Sequence, residues 1–314
     1  MLSAVTGSSG VRGRRFGPAD GRACHDDSVT PTNVLRLEAQ GGFDWEPFVA
    51  FLAARAIPGV EAVDGDRYRR SIGVDGVAGT VQIRPIDRGV EAELDGPGVG
   101  AAIEPRLRRW FDLDTDVAAI DGHLGRDPLL APLVAARRGL RVPGAWDPFE
   151  LAVRAIVGQQ VSVAGARTIA GRIVARAGDR LAKPSGSVVA LFPAPDQLAA
   201  ADLSAIGMPG ARARAIVGFA SAVAADPGLL APSEDLDEIV RRLKALPGIG
   251  EWTAQYVALR GLKHPDAFPA SDLGILRALA GPDGRRPTPA EALARAESWR
   301  PYRAHAAQHL WSVS

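Results

Sequence analysis

The chain reads as an α+β protein, an N-terminal antiparallel sheet domain followed by an all-α region. Three observations predict this. Two alternating apolar runs, Tyr68 to Val74 and Val77 to Ile83, are joined by Asp75-Gly76, and Asp-Gly between such runs signals a two-residue β-hairpin. Beyond about residue 114 the apolar residues recur at helical spacing. Helix starts recur there as well. Asp147-Pro148-Phe149-Glu150 and Thr288-Pro289-Ala290-Glu291 each offer a cap, a proline at the first helical position and a glutamate at the third.

Residues 1–32 are rich in Gly, Ser, Arg and Asp without a sustained apolar period. They read as a disordered leader, the remnant of a longer or fused polypeptide, with Cys24 in no structural role. Residues 33–113 form the α+β domain. Val34 to Leu37 is a strand, Trp45 to Ala56 a helix with Phe48, Phe51 and Leu52 on one face, and Gly89 to Leu94 a strand that follows the hairpin. Residues 114–314 form the helical region. Its helices run from Pro148 to about Gly158, then Val163–Ala177, Pro195–Ala201, Ala211–Ala225, Leu236–Ala245, Glu251–Gly261, Leu273–Ala280 and Pro301–Trp311.

A chain of 314 residues buries a large core in two or three subdomains. Its formal net charge is only +1, so a nucleic-acid partner requires basic residues gathered locally. Between Arg126 and Arg180 nine arginines stand against four acids, which also suits ordinary solvated helix faces. Only Lys183, Lys244 and Lys263 are lysines. The single cysteine excludes an intrachain disulfide framework, a zinc–thiolate centre and a four-cysteine iron–sulfur cluster. No apolar run spans a bilayer and the N-terminus lacks a signal-peptide core. A soluble, cytoplasmic monomer with no membrane partner is expected. Neither a nucleotide-binding glycine turn nor a metal-ligand cluster is present, and His123, His264, His305 and His309 read as surface or core residues.

The segment richest in chemistry is Leu246-Pro247-Gly248-Ile249-Gly250-Glu251-Trp252-Thr253-Ala254, with Asp272 downstream. A Gly-x-Gly turn between two helices forms a helix-hairpin-helix. Its amides hold one phosphate without reading base identity. Glycines that merely cap the first helix are the plainer alternative. Trp252 and Tyr256 are four residues apart and share a helix face, while Phe51 and Trp311 add two more aromatics. Such rings suit an extruded alkylated base, although each alone suits a core. Asp272 precedes a helix and reads as an N-cap. Beside a deoxyribose its carboxylate would stabilise an oxocarbenium-like state or orient water.

Val153-Arg154-Ala155-Ile156-Val157-Gly158-Gln159-Gln160-Val161-Ser162-Val163-Ala164, then Leu246 to Gly261, then Asp272, resemble the helix-hairpin-helix DNA glycosylases, in particular the DNA-3-methyladenine glycosylase II (AlkA) type. Phe51 to Ala56, Arg141 to Gly144, Leu203 to Pro209 and His309-Leu310-Trp311 fit the same family, so the resemblance runs from about residue 34 to 314. It implies a TBP-like sheet domain, two helical subdomains and an active-site cleft between them. It places the catalytic aspartate at Asp272 and the aromatic base pocket at Phe51, Trp252, Tyr256 and Trp311. The DNA-binding positions fall on Gln159, Gln160, Ser162, Leu246, Gly248, Ile249, Gly250 and Thr253. The implied partner is double-stranded DNA containing alkylated bases, and the implied reaction is base excision. Trp252 stands where bifunctional members carry a Schiff-base lysine, which implies a monofunctional enzyme that leaves an abasic site. No cofactor and no iron–sulfur cluster are implied. A monovalent cation at the hairpin–phosphate contact is the one ion this reading admits.

The sequence departs from the family at Gln160, where the related enzyme carries an apolar wedge, at Leu273 in place of an aromatic, and at Ser271 in place of an acid. Those departures sustain one alternative, a helix-hairpin-helix DNA-binding protein or damage sensor without base excision.

Overall fold

Five strands build the N-terminal sheet: β1 (Asn33–Glu38), β2 (Glu61–Asp64), β3 (Arg67–Val74), β4 (Val77–Ile86) and β5 (Gly89–Asp95). Their order is β1-β5-β4-β3-β2, and every neighbouring pair is antiparallel. The computed structural model describes residues 33–74, 76–96 and 102–313. The leader at 1–32, with Cys24, and Asp75 of the expected hairpin turn lie outside these residues. The hairpin register is nonetheless visible. Val74 pairs with Val77, and Gly76 has φ +78°, as a two-residue turn demands. The short strand β2 was not foreseen, because four residues carry too little alternation to be read.

Alternation puts Leu37, Tyr68, Ile72, Val81, Ile83 and Ala92 on one sheet face, all buried. Helices α1 (Trp45–Arg55) and α2 (Ile103–Phe111) cover that face with Phe48, Leu52, Leu107, Trp110 and Phe111. Helix α2 ends at Asp112, which is left-handed (φ 59°). The buried Arg141 guanidinium donates to the carbonyls of Gln40, Gly42 and Asp112, tying the loop before α1 to the end of α2.

The second core is helical. In order follow α3 (Val117–Leu124), α4 (Ala131–Ala136), α5 (Pro148–Val157), α6 (Val163–Ala177), α7 (Pro195–Ala199), α8 (Gly210–Ala225), α9 (Leu236–Lys244), α10 (Glu251–Tyr256), α11 (Leu273–Ala278), α12 (Pro289–Ala296) and α13 (Arg303–Trp311). The caps read from the sequence are formed. Asp147 accepts from Phe149 N, and Thr288 and Glu291 make a reciprocal capping box. At the centre of this core Phe149 of α5 stacks on Phe219 of α8, ring centres 5.6 Å apart and nearly parallel at 6°. Each such buried ring contributes roughly 2–3 kcal/mol.

Two local features differ from the sequence reading. The region after 114 is not wholly helical. Strands β6 (Arg180–Ser185) and β7 (Val188–Ala190) form a hairpin turning at Gly186 (φ 61°), and Val189 N and Ala190 N donate to Gly59 O of the sheet domain. Tertiary docking, rather than strand propensity, fixes this short irregular pair. The helix expected over Glu251–Gly261 is α-helical only to Tyr256 and continues as a π-helical turn, Val257–Gly261. Such a bulge re-aims side chains within a helix.

The two cores meet across a buried charge network. Arg70 lies on the covered sheet face and pairs with Glu150 of α5 at 2.6 Å, while Arg154 of α5 reaches Glu61 at 3.1 Å and Glu150 at 2.9 Å. The Tyr68 hydroxyl donates to Glu61 at 2.5 Å. Burial works against the charge on Arg70 and Arg154, but the carboxylates around them outweigh it and both pKa values lie above the ordinary range. Burial likewise opposes ionisation of Glu150, and the two guanidinia hold it below the usual carboxylate value.

Candidate active site and nucleic-acid interface

Helices α9 and α10 and their connection make the expected hairpin. Leu243 O accepts from Leu246 N at 3.0 Å, and Leu246 O accepts from Ile249 N at 3.2 Å, which folds the chain back on itself. Gly248 has φ +79°, and a Cβ added there would collide with the Ala215 side chain. Glycine is therefore required twice over at that position. Gly250 differs. Its φ of −89° and ψ of 178° suit any residue, and a Cβ would meet nothing within 4 Å. It sits at the N-cap of α10 without a capping side chain, so the first amides of that helix have no intrahelical partner. Ile249 is buried in the helical core and Leu246 packs partly against it, while Pro247, Gly248 and Gly250 are exposed.

The second expected DNA-binding segment is tied to the first. The Gln159 amide donates to Gly248 O and to Thr253 Oγ1, both at 3.0 Å, and Arg212 donates to Gln159 O at 2.6 Å. Gln160 is exposed with φ +59°, and Ser162 caps α6 by accepting from Gly165 N at 3.1 Å. Thus Gln159 locks the turn before α6 onto the hairpin, while Gln160 and Ser162 stand at the surface.

Asp272 is the N-cap of α11, its Oδ1 accepting from Gly274 N at 2.8 Å and Ile275 N at 3.2 Å. The same oxygen accepts from the Trp311 indole at 2.8 Å, and Oδ2 accepts from the Trp252 indole at 2.8 Å. By sequence both tryptophans are expected as stacking surfaces. Their N–H groups also aim the carboxylate. Trp252 and Tyr256 stack with ring centres 5.1 Å apart and 13° between planes, and Tyr256 meets Trp311 edge-on at 6.2 Å. Leu273, beside Asp272, is 60% exposed.

Arg260 was missed. It extends the 252–256 spacing by another four residues, the one signal by which the sequence could have shown it. Its guanidinium carbon lies 4.6 Å from the ring centre of Phe51, 4.8 Å from Trp311 and 5.4 Å from Tyr256. Nη1 donates to Pro143 O at 2.8 Å and Nη2 to Gln308 Oε1 at 2.9 Å. Arg55 lies 4.0 Å from the Phe51 ring centre, so Phe51 carries two guanidinia. Burial pushes the Arg260 pKa down, against the pull of Tyr256 and Asp272.

These residues line one cavity of about 840 Å³ that includes Phe51, Trp252, Tyr256, Arg260, Asp272 and Trp311. Four of the five expected pocket and catalytic residues thus come from three helical segments of one region, and Phe51 comes from the sheet domain's α1. Eight arginines and four carboxylates line it. Two of each belong to the buried network at its base, and the remainder is strongly cationic. Among the described residues no group of three His, Cys, Asp or Glu side chains is placed to hold a metal ion. No described helix is long and apolar enough to cross a membrane.

Comparison with known proteins gives a consistent family. Residues 34–147 match the AlkA N-terminal domain, and residues 153–304 match the HhH-GPD superfamily of base excision DNA repair proteins. The chain is 37% identical over 288 residues to DNA-3-methyladenine glycosylase 2 of Escherichia coli, covering 88% of this chain and 96% of that one. It is 39% identical over 285 residues to a Mycobacterium tuberculosis protein named "Probable bifunctional transcriptional activator/DNA repair enzyme AlkA", covering 90% of this chain. The match spans 57% of that relative's length. Among solved structures, the 3-methyladenine DNA-glycosylase from Archaeoglobus fulgidus shares the fold, with a TM-score of 0.76 at 24% identity, covering 88% of this chain and 97% of that one.

Proposed function

The chain belongs to the AlkA branch of the HhH-GPD superfamily of base excision DNA repair proteins, and from that membership we propose that it is a monofunctional DNA glycosylase acting on alkylated bases such as 3-methyladenine. The observation that carries the reading is Asp272, fixed by Trp252 and Trp311 at the edge of the aromatic cavity. Double-stranded DNA lies on the Gly248–Thr253 turn and the Gln159–Ser162 turn, phosphate oxygens taking the open amides of α10. The damaged nucleotide leaves the stack and its base enters the cavity. As the N-glycosidic bond lengthens, positive charge develops on the sugar and the Asp272 carboxylate stabilises it. Water then adds to the sugar and leaves an abasic site. Both Asp272 oxygens already accept N–H donors, which favours an aimed negative charge over a freely turning base.

By the family resemblance Trp252 stands where bifunctional members carry an amine nucleophile, and this supports a hydrolase that leaves the strand intact. The test is release of 3-methyladenine from methylated duplex DNA by the wild type and by Asp272→Asn, with borohydride present in a parallel reaction. Base release by the wild type, its loss in the variant and no covalent DNA adduct are expected. Salt-sensitive binding without base release would instead establish the damage-sensor reading.

A further inference from the structure

Of the eight arginines that line the aromatic cavity, most are engaged within the protein. Arg70 and Arg154 belong to the buried network, Arg141 and Arg260 donate to protein oxygens, and Arg55 lies over Phe51 and donates to its carbonyl. Arg137, Arg138 and Arg167 remain. All three are exposed, and none has a side-chain hydrogen bond or an ion pair among the described residues. Several surface arginines elsewhere are met by carboxylates, as Arg36 by Glu91 at 2.8 Å and Arg285 by Glu291 at 3.2 Å. Asp121 feels the charge of Arg138, but its Oδ2 already accepts from Gly139 N at 2.7 Å. That bond, with the Arg141 guanidinium on the carbonyls of Gln40 and Gly42, fixes the loop that carries Arg137 and Arg138. Arg167 stands on α6, just past the turn that Ser162 caps. Two fixed supports therefore hold unpaired guanidinia at the cavity that a flipped base would enter.

We propose that Arg137, Arg138 and Arg167 form a second phosphate site, apart from the hairpin, that takes the phosphodiesters flanking the extruded nucleotide. The inference rests on the glycosylase reading of the same cavity. A nucleotide leaves the stack by turning about its own backbone, so the phosphates bonded to its sugar are drawn toward the cavity with it. A guanidinium fork matches two phosphate oxygens. The hairpin amides meet a duplex whether or not a nucleotide has left the stack, whereas these arginines meet backbone only after it has. Their charge therefore stabilises the extruded state over the stacked one. Phosphate contacts carry no base information, so every lesion that enters the cavity gains alike.

The experiment titrates the full chain, at a series of salt concentrations, onto two duplexes that differ at one position. One carries a tetrahydrofuran abasic site, the other an intact nucleotide. Arg137→Gln, Arg138→Gln and Arg167→Gln are each expected to weaken binding to the abasic duplex roughly five- to tenfold at about 0.1 M salt and to lower its salt slope by about 0.9. Affinity for the intact duplex should change by less than about twofold, because these contacts are not made there. Lysine at the same positions should restore the slope, which counts charge, and only part of the affinity, since the fork is lost. Arg36→Gln, on β1 and outside the cavity lining, is the control and should leave both duplexes unchanged. Equal losses on the two duplexes, an unaltered abasic salt slope, or the same loss in the control overturn the proposal. A wild type that releases no base from methylated DNA and binds both duplexes alike overturns the glycosylase reading instead, and this inference with it.

Discussion

The indole N–H of Trp252 donates to Oδ2 of Asp272 at 2.8 Å. Trp252 is also the second residue of the helix that follows the hairpin turn. One rigid element therefore presents open amides at its start and steers the carboxylate with its first-turn side chain. DNA held by those amides would be held in register with the acid, because no loop intervenes between the two contacts.

Replacing Trp252 with Phe keeps a ring against Tyr256 and removes the donor to Asp272. Stability should fall by about 1 kcal/mol, the typical worth of one such hydrogen bond. Base release should fall while DNA affinity holds, because the turn amides are untouched. Chemical denaturation, binding titration and single-turnover release from methylated DNA separate the three quantities.

The two hairpin glycines should respond oppositely. Gly248→Ala forces a side chain into a positive-φ site against Ala215 and should destabilise the fold by roughly 1–3 kcal/mol. Gly250 has N-cap geometry without strain, so Gly250→Ser should raise stability by a few tenths of a kcal/mol. The new hydroxyl would take amides that we assign to phosphate, and DNA affinity should drop. A variant that melts higher and binds DNA as tightly as the wild type would refute the phosphate assignment.

The charge network between the cores should be costly to break. Glu150→Gln leaves Arg70 and Arg154 short of a buried counter-charge, and a loss of about 3–5 kcal/mol in urea denaturation is expected. The native pKa of Glu150 lies below its ordinary value of 4.5. Its contribution is accordingly present above pH 4.5 and is lost as pH falls through the depressed native value. Wild-type stability should therefore decline on that acid limb, and the variant should show less of the decline.

His309 supplies a separate pH dependence at milder acidity. Burial, followed by the charges of His305 and Arg137, pushes its pKa down from 6.5 to about 4. Neither ring nitrogen has a hydrogen-bond partner among the described residues, and the Asp121 carboxylate is 4.0 Å away. The unfolded chain binds this proton more readily than the native protein, so stability falls as pH drops from 6.5 toward 4, by roughly 3 kcal/mol in all. His309→Leu should flatten that window in thermal melts taken between pH 7 and pH 4. A wild-type curve already flat there would contradict the assignment.

The sequence by itself determined the order of sheet and helices, because those features are local. Alternation in Tyr68–Val74 and Val77–Ile83, the caps at Asp147 and Thr288, and the Gly248 turn each act within a few residues. It also marked Asp272, Trp252, Tyr256 and Trp311, through a family pattern spread along the chain. Short elements such as β2 and the β6–β7 hairpin were illegible, since docking on distant backbone holds them in place. Only the tertiary structure decided what the marked residues do to one another. It turned two indoles from surfaces into donors, brought Phe51 of the sheet domain onto Arg260 of the helical core, and set Arg70 beside Glu150. Hydrogen bonds and ion pairs depend on distances between segments far apart in the chain, and residue order does not contain those distances until the two cores pack.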